Sequence, residues 1–253
     1  MKTFLVIIFF AVAMLAASLA FVRGDRRPIA EKSFALVELF TSEGCSSCPS
    51  ADELTAKIQR ESNGKPVYVL AYHVDYWDRL GWKDSFSSPL WSQRQRQYAS
   101  WMKKGNVYTP QVVVNGKTEF VGSDERSFRK ALQQALSSKS PELILSVKQF
   151  TATSALIYTG YSPAKGTALY LACVQKAASI RVSRGENAGR TLSHTNIVRS
   201  LQQVVPAKAQ VSIKLPTGFD SSSWEIIGFV QDTGSGAIIS ASRIALMDAS
   251  AKI

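Results

Sequence analysis

Leu36-Val37-Glu38-Leu39-Phe40-Thr41-Ser42-Glu43-Gly44-Cys45-Ser46-Ser47-Cys48-Pro49-Ser50, continuing to Ile58, decides how the rest of the chain is read. The first five residues are nearly all apolar, as in a strand buried on both faces of a sheet. Glu38 is the interruption. Thr41 to Gly44 supplies a tight turn. Ala51, Leu54, Thr55 and Ile58 then recur at helical spacing, with Asp52, Glu53, Lys57 and Arg60 expected on the outer face. Pro49 suits a first helical turn, where backbone donors are spare. Two cysteines therefore stand where a helix begins. A helix N-terminus carries unpaired N–H groups and roughly half a positive charge, which stabilises a thiolate. A stabilised thiolate is a nucleophile at neutral pH. The spacing lets the second sulfur close onto the first, so Cys45–Cys48 is expected as a redox-active disulfide, with Cys45 attacking and Cys48 resolving.

The chain has 253 residues, 45% of them hydrophobic, enough for a folded core and for two domains. Its net charge is +11, but the excess is spread along the chain with no basic run interleaved with aromatics. Nucleic-acid binding is not expected on that ground. Lys2 precedes Phe4–Val22, apolar except for Ser18, which is expected to be a signal peptide or an N-terminal membrane anchor. The polar stretch 23–33 reads as a linker. The remainder is then expected outside the cytoplasm, secreted or periplasmic, where a cysteine pair can oxidise.

Val67–Val74 is a second apolar strand, one helix away from the first, so a parallel crossover is expected. Ser88-Pro89 opens a helix with Leu90, Trp91, Arg94, Tyr98, Trp101 and Met102 on one side. Asn115-Gly116 between apolar runs is a hairpin signal. Ser123-Asp124-Glu125 caps a helix carrying Phe128, Leu132, Ala135 and Leu136. A polar linker at 137–141 is expected to end the domain. From 142 to 248, short apolar or alternating runs separated by turn residues point to a β-sandwich-like domain. Arg184–Arg199 is expected as a loop carrying Glu186, Asn187, Arg190 and His194; it is read either as a cap on the cysteine turn or as a solvated hairpin loop. Cys173, inside an apolar run, reads as a small buried hydrophobe.

The order strand, C-x-x-C helix, strand, helix, Thr-Pro strand, Asn-Gly hairpin and helix resembles a thioredoxin-like domain over residues 34–138. The strings Val37–Pro49, His73-Val74-Asp75-Tyr76-Trp77-Asp78 and Arg184–Leu192 resemble, more closely, a bacterial secreted domain-of-unknown-function family with a thioredoxin-like fold. The resemblance implies an α/β thioredoxin-like domain, with a central mixed sheet and flanking helices, followed by the all-β domain. It implies that Pro110 is a cis-proline beside the cysteine pair, presenting the backbone of Thr109 to a partner. The chain departs from thioredoxin at Gly44, where tryptophan is usual, and at Ser46-Ser47.

Two residues carry open alternatives. Glu38 is read as a carboxylate behind the cysteines, taking a proton from Cys48, or as an edge-facing ion-pair partner. His73 is read as a copper ligand with Cys45 and Cys48, or as a hydrogen-bonded histidine anchoring the turn at Asp75 and Asp78. Trp77, Trp82, Trp91 and Trp101 are read as core or as the lining of a peptide groove. One C-x-x-C cannot close a structural zinc site, and so short a loop gains little as a structural clip. The leading expectation is an extracytoplasmic thiol–disulfide oxidoreductase acting on a protein thiol or disulfide. A copper-binding or delivery protein and a non-catalytic envelope interaction module are the rivals.

Overall fold

Seven consecutive buried residues make Ala35–Thr41 (β2) the innermost strand of the N-terminal half. The computed structural model describes residues 31–162, 164–205, 209–244 and 246. The expected export or anchor segment, and the linker as far as residue 30, lie outside the described residues. Among these, no helix is long and apolar enough to cross a membrane.

β1 (Glu31–Lys32) precedes β2. Then come α1 (Cys48–Glu61), β3 (Val67–His73), α2 (Pro89–Trp101), β4 (Gln111–Val114), β5 (Thr118–Val121) and α3 (Glu125–Ser137). β2 and β3 pair in parallel through α1, with Leu39 opposite Ala71. β4 returns antiparallel to β2, and β5 antiparallel to β4. Asn115 and Gly116 both take positive φ, so the tight reversal expected of Asn-Gly forms, and Lys117 N–H closes it on the Val114 carbonyl at 3.0 Å. Asp124 caps α3, accepting from the Ser127 N–H at 3.0 Å.

The strand alternation sorts the two faces. Val37, Leu39, Val67 and Val69 pack with Ala51, Leu54 and Ile58 of α1 and Phe128 and Leu132 of α3. Leu36, Phe40, Leu70 and Tyr72 pack with Trp91 and Tyr98 of α2 on the opposite face. Leu90, expected on the inner side of α2, points out and is exposed. Arg94 instead lies buried and ion-paired.

The later strands are β6 (Ser140–Pro141), β7 (Leu145–Phe150), β8 (Ser154–Thr159), β9 (Thr167–Arg181), β10 (Thr191–Val204), β11 (Gln210–Lys214), β12 (Trp224–Asp232) and β13 (Ile238–Ile244). Four of them, β9, β10, β12 and β13, join the sheet of the first half. The main sheet runs β13-β12-β9-β10-β3-β2-β4-β5, because β10 pairs in parallel with β3. The boundary expected at 138–142 is therefore no break in the architecture, and the described residues form one compact unit. The α2-side core draws Ala172, Val174, Val198, Ile227, Phe229 and Ile238 from the second half. A three-stranded sheet, β11-β8-β7, packs separately, Ile157 and Ile213 meeting Leu171, Cys173 and Ile226.

One expectation needs correcting here. The loop expected at 184–199 becomes strand β10 from Thr191, and it pairs with β9, which runs unbroken from Thr167 to Arg181. β10 was hidden because Ser193, Thr195, Asn196, Arg199 and Ser200 interrupt its apolar pattern. Asn196 is buried with positive φ, and its amide donates to the Val69 carbonyl at 3.4 Å and to Glu225 at 3.2 Å.

Candidate functional site

α1 begins at Cys48, so Cys48 is the first helical residue and Cys45 sits in the preceding turn. The Cys45 N–H donates to the Ser42 carbonyl and the Cys48 N–H to the Cys45 carbonyl, each at 3.2 Å. That turn brings the two Cα atoms to 5.4 Å, and the sulfurs are bonded. The Ser47 hydroxyl lies 3.4 Å from the Cys45 sulfur. Both cysteines have no exposed surface.

The Thr109–Pro110 peptide is cis. A Cβ added to Gly122 would meet Ala51 at 3.0 Å and Pro110 at 3.2 Å, so Pro110 flanks the first turns of α1. Thr109 Oγ1 accepts from the Trp77 indole N–H at 2.8 Å, and a Cβ at Gly44 would meet Trp77 Cβ at 3.0 Å. Trp77 thus joins the Thr-Pro turn to the cysteine turn, which explains the small residue at 44. Trp91 is buried, while Trp77 and Trp101 are half-buried against the α2-side core.

Glu38 is not part of this assembly. It lies on the α2 face, fully buried, accepting from Arg94 Nε at 2.6 Å and from the Tyr98 hydroxyl. It is an ion-pair partner, but a central one rather than an edge one. The strand register decides this: residues 36, 38 and 40 face α2, while 37 and 39 face the cysteine helix.

The 184–190 loop closes over the cysteine turn. Asn187 Nδ2 donates to the carbonyls of Glu43 and Cys45, each at 2.9 Å, and Arg190 orients that amide by donating to its Oδ1 at 2.8 Å. Glu186 Oε2 accepts from the Ser46 N–H at 3.1 Å. The donation from Ser46 holds the Glu186 carboxyl below its ordinary pKa.

Beneath the turn, on the α1 face, lies a buried polar cluster. Asp84 Oδ2 accepts from the Glu43 N–H at 2.9 Å and pairs with His73 Nδ1 at 2.7 Å; Asp84 Oδ1 accepts from the Phe86 N–H at 2.8 Å. Glu43 accepts from the Trp82 indole at 2.6 Å. His194 lies with Nε2 3.8 Å from Glu43 and Nδ1 3.6 Å from Asp52. Burial pushes the Glu43 carboxyl up, and the Asp84 charge adds to this. Burial opposes protonation of His73, but the Asp84 carboxylate outweighs it and raises the imidazole pKa. Burial likewise works against ionised Asp84, yet His73 and the two backbone donors hold it low.

His73 thus anchors the turn at Asp75 and Asp78 through Asp84, whose own N–H donates to Asp78 Oδ1 at 3.2 Å. Among the described residues, the group whose possible ligand atoms lie within 4.8 Å of one another is Glu43, His73 and Asp84, and it contains neither cysteine. Asp52, expected on the outer face of α1, is buried because the start of β10 covers that helical turn. Cys173 is buried as expected, and burial raises its thiol pKa. Sequence reading missed Glu43 and Asp84 as members of a site. The one available signal was that Glu43 and Asp84 stand in loops that follow the adjacent strands β2 and β3.

An eight-stranded mixed sheet with three α-helices among the described residues, and a cysteine pair under a closed loop, define the class of molecule: a mostly β protein with a covered disulfide at a helix start. The chain belongs to a family described as protein of unknown function (DUF1223), whose model matches residues 36–231 and so spans the cysteine turn, the 184–190 loop and the buried polar cluster. Among solved structures, the chain is similar to an X-ray structure of an Agrobacterium tumefaciens protein, determined as a structural-genomics target. The two are 29% identical with a TM-score of 0.63, covering 87% of this chain and 97% of that one. No curated protein matches.

Proposed function

We propose that the protein is a thiol–disulfide oxidoreductase with a loop-covered cysteine pair. The observation that carries this is the Cys45–Cys48 bond at the start of α1, directly after a central strand. The parallel β2–α1–β3 crossover, the antiparallel β4–β5 hairpin and α3 support reading residues 34–138 as a thioredoxin-like unit. Pro110 and Thr109 beside the first turns of α1 fit a partner-binding ledge.

In the reaction, a partner thiolate attacks the Cys45 sulfur. The Cys45–Cys48 bond breaks, and Cys48 leaves as a thiolate that takes a proton. A second partner thiolate then attacks the partner's own sulfur in the mixed disulfide and releases Cys45. Two electrons pass to the pair as the partner dithiol becomes a disulfide; run backwards, the pair oxidises as the partner is reduced. The burial of both sulfurs requires the 184–190 loop to swing aside first. A disulfide-bearing chain behind an apolar N-terminal run fits an extracytoplasmic site of action.

Insulin reduction, together with equilibration against glutathione, tests the activity. The expected outcome is catalysis by the native chain and none by Cys45→Ser. Reduced Cys45 that alkylates with iodoacetamide no faster than free cysteine at neutral pH would reject the proposal.

A further inference from the structure

We propose that Glu43, His73 and His194 form a binding site for one divalent transition-metal ion, with Asp84 orienting His73 from behind. The site lies under the cysteine turn and uses neither sulfur, so it stands independently of the redox reading.

His73 Nε2 and both ring nitrogens of His194 are buried and have no hydrogen-bond partner. The two side chains are 0% and 1% exposed. A buried imidazole nitrogen left unpaired loses its hydration without compensation. The two rings sit edge to face with centroids 4.7 Å apart, and Glu43 Oε1 lies 3.8 Å from His194 Nε2. Glu43, His73 and Asp84 each offer a ligand atom within 4.8 Å of one another, and His194 adjoins them at Glu43.

Glu43, Asp52 and Asp84 are all buried around the histidines. Buried carboxylates are paired or bind metals. Arg199 is near enough to feel the Asp84 charge, but its guanidinium lies over the Phe86 ring at 5.0 Å. A divalent cation would balance the excess negative charge.

Asp84 already accepts from the Glu43 and Phe86 backbones and pairs with His73 Nδ1, which leaves Nε2 as the atom to bind. Asp52 Oδ2 lies 3.6 Å from Nδ1 of His194, beyond hydrogen-bond reach. A carboxylate behind a ligating histidine is the common outer shell of such sites. Imidazole with carboxylate suits zinc-like ions rather than Cu(I), and three protein ligands leave a position for water. Phe86, 5.3 Å from His73 and 5.9 Å from His194 between ring centroids, separates the histidines from a surface cleft of about 280 Å³ that it lines.

The test is Zn²⁺ titration of the full chain by calorimetry with the disulfide intact, alongside the Co²⁺ absorption spectrum. One equivalent should bind, and the Cys45→Ser/Cys48→Ser variant should bind equally well. His194→Gln, which loses no hydrogen bond, and Glu43→Gln should each weaken binding by at least about tenfold. The Co²⁺ spectrum should show nitrogen and oxygen ligation without thiolate charge transfer. No uptake by the oxidised native chain, or uptake unaffected by both substitutions, would overturn the proposal. If either variant fails to fold, the native Co²⁺ spectrum decides: absence of a bound-cobalt spectrum, or a thiolate band, overturns it.

Discussion

Asn187 reaches across 142 residues of sequence to hold the Cys45 carbonyl at 2.9 Å, and with the same nitrogen it holds Glu43. The chain's later half thereby acts directly on its cysteine turn. At about 1 kcal/mol each, the two bonds favour the closed loop by about 2 kcal/mol, or roughly thirtyfold in the open population. Asn187→Ala should therefore speed reduction of the disulfide by a small phosphine about ten- to thirtyfold. An unchanged rate in a variant of unchanged stability would show that the loop does not control access.

Glu186 places a carboxylate at the mouth of α1, bonded to the Ser46 N–H. A like charge beside a thiolate raises the thiol pKa. Glu186→Gln should lower the pKa of reduced Cys45 and raise its alkylation rate at neutral pH by a few-fold, an effect that shrinks with added salt. Alkylation across a pH series at two ionic strengths measures it. A slower reaction would contradict this electrostatic account.

Glu38 and Arg94 form a buried ion pair with Tyr98, and the guanidinium lies 5.2–5.8 Å from the ring centroids of Tyr72, Tyr98, Tyr170 and Phe229. Glu38→Gln leaves that cation without its counter-charge. Urea unfolding should show a loss of about 3–5 kcal/mol. Cys45 alkylation in the folded variant should stay unchanged, because Glu38 lies on the other face. A changed alkylation rate would restore Glu38 to the cysteine site.

Gly236 sits with φ +78°, and a Cβ there would fall 2.2 Å from Trp101 Cε3. Its carbonyl in turn would meet a Cβ on Gly116 at 2.0 Å. Gly236→Ala should cost about 2–5 kcal/mol through left-handed backbone strain and overcrowding against Trp101. A loss below about 1 kcal/mol would mean that Trp101 swings away freely.

The local parts of this molecule were legible in the sequence. The cysteine helix, the crossover to β3, the Asn115-Gly116 reversal and the Asp124 cap each follow from spacing or turn chemistry within a few residues. What was not legible is long-range. Nothing near Glu43 announces Asp84, and nothing near Asp84 announces His194; the parallel pairing of β2 with β3 brings the first two together, and that of β10 with β3 adds His194. The side to which Glu38 points depends on strand register, which a nearly continuous apolar run does not reveal. Asp52 was misread because a helix covered on a second side no longer has a free outer face.

β3 lies between β2 and β10, and its two partners are separated by some 150 residues of chain. On the ribosome, the first half therefore emerges with one margin of β3 bare and with its α2-side core lacking Val198, Phe229 and Ile238. A bare strand margin invites wrong partners. The order of synthesis thus makes the C-terminal strands a late keystone: a chain that stops short of them never completes the ground on which its cysteines stand.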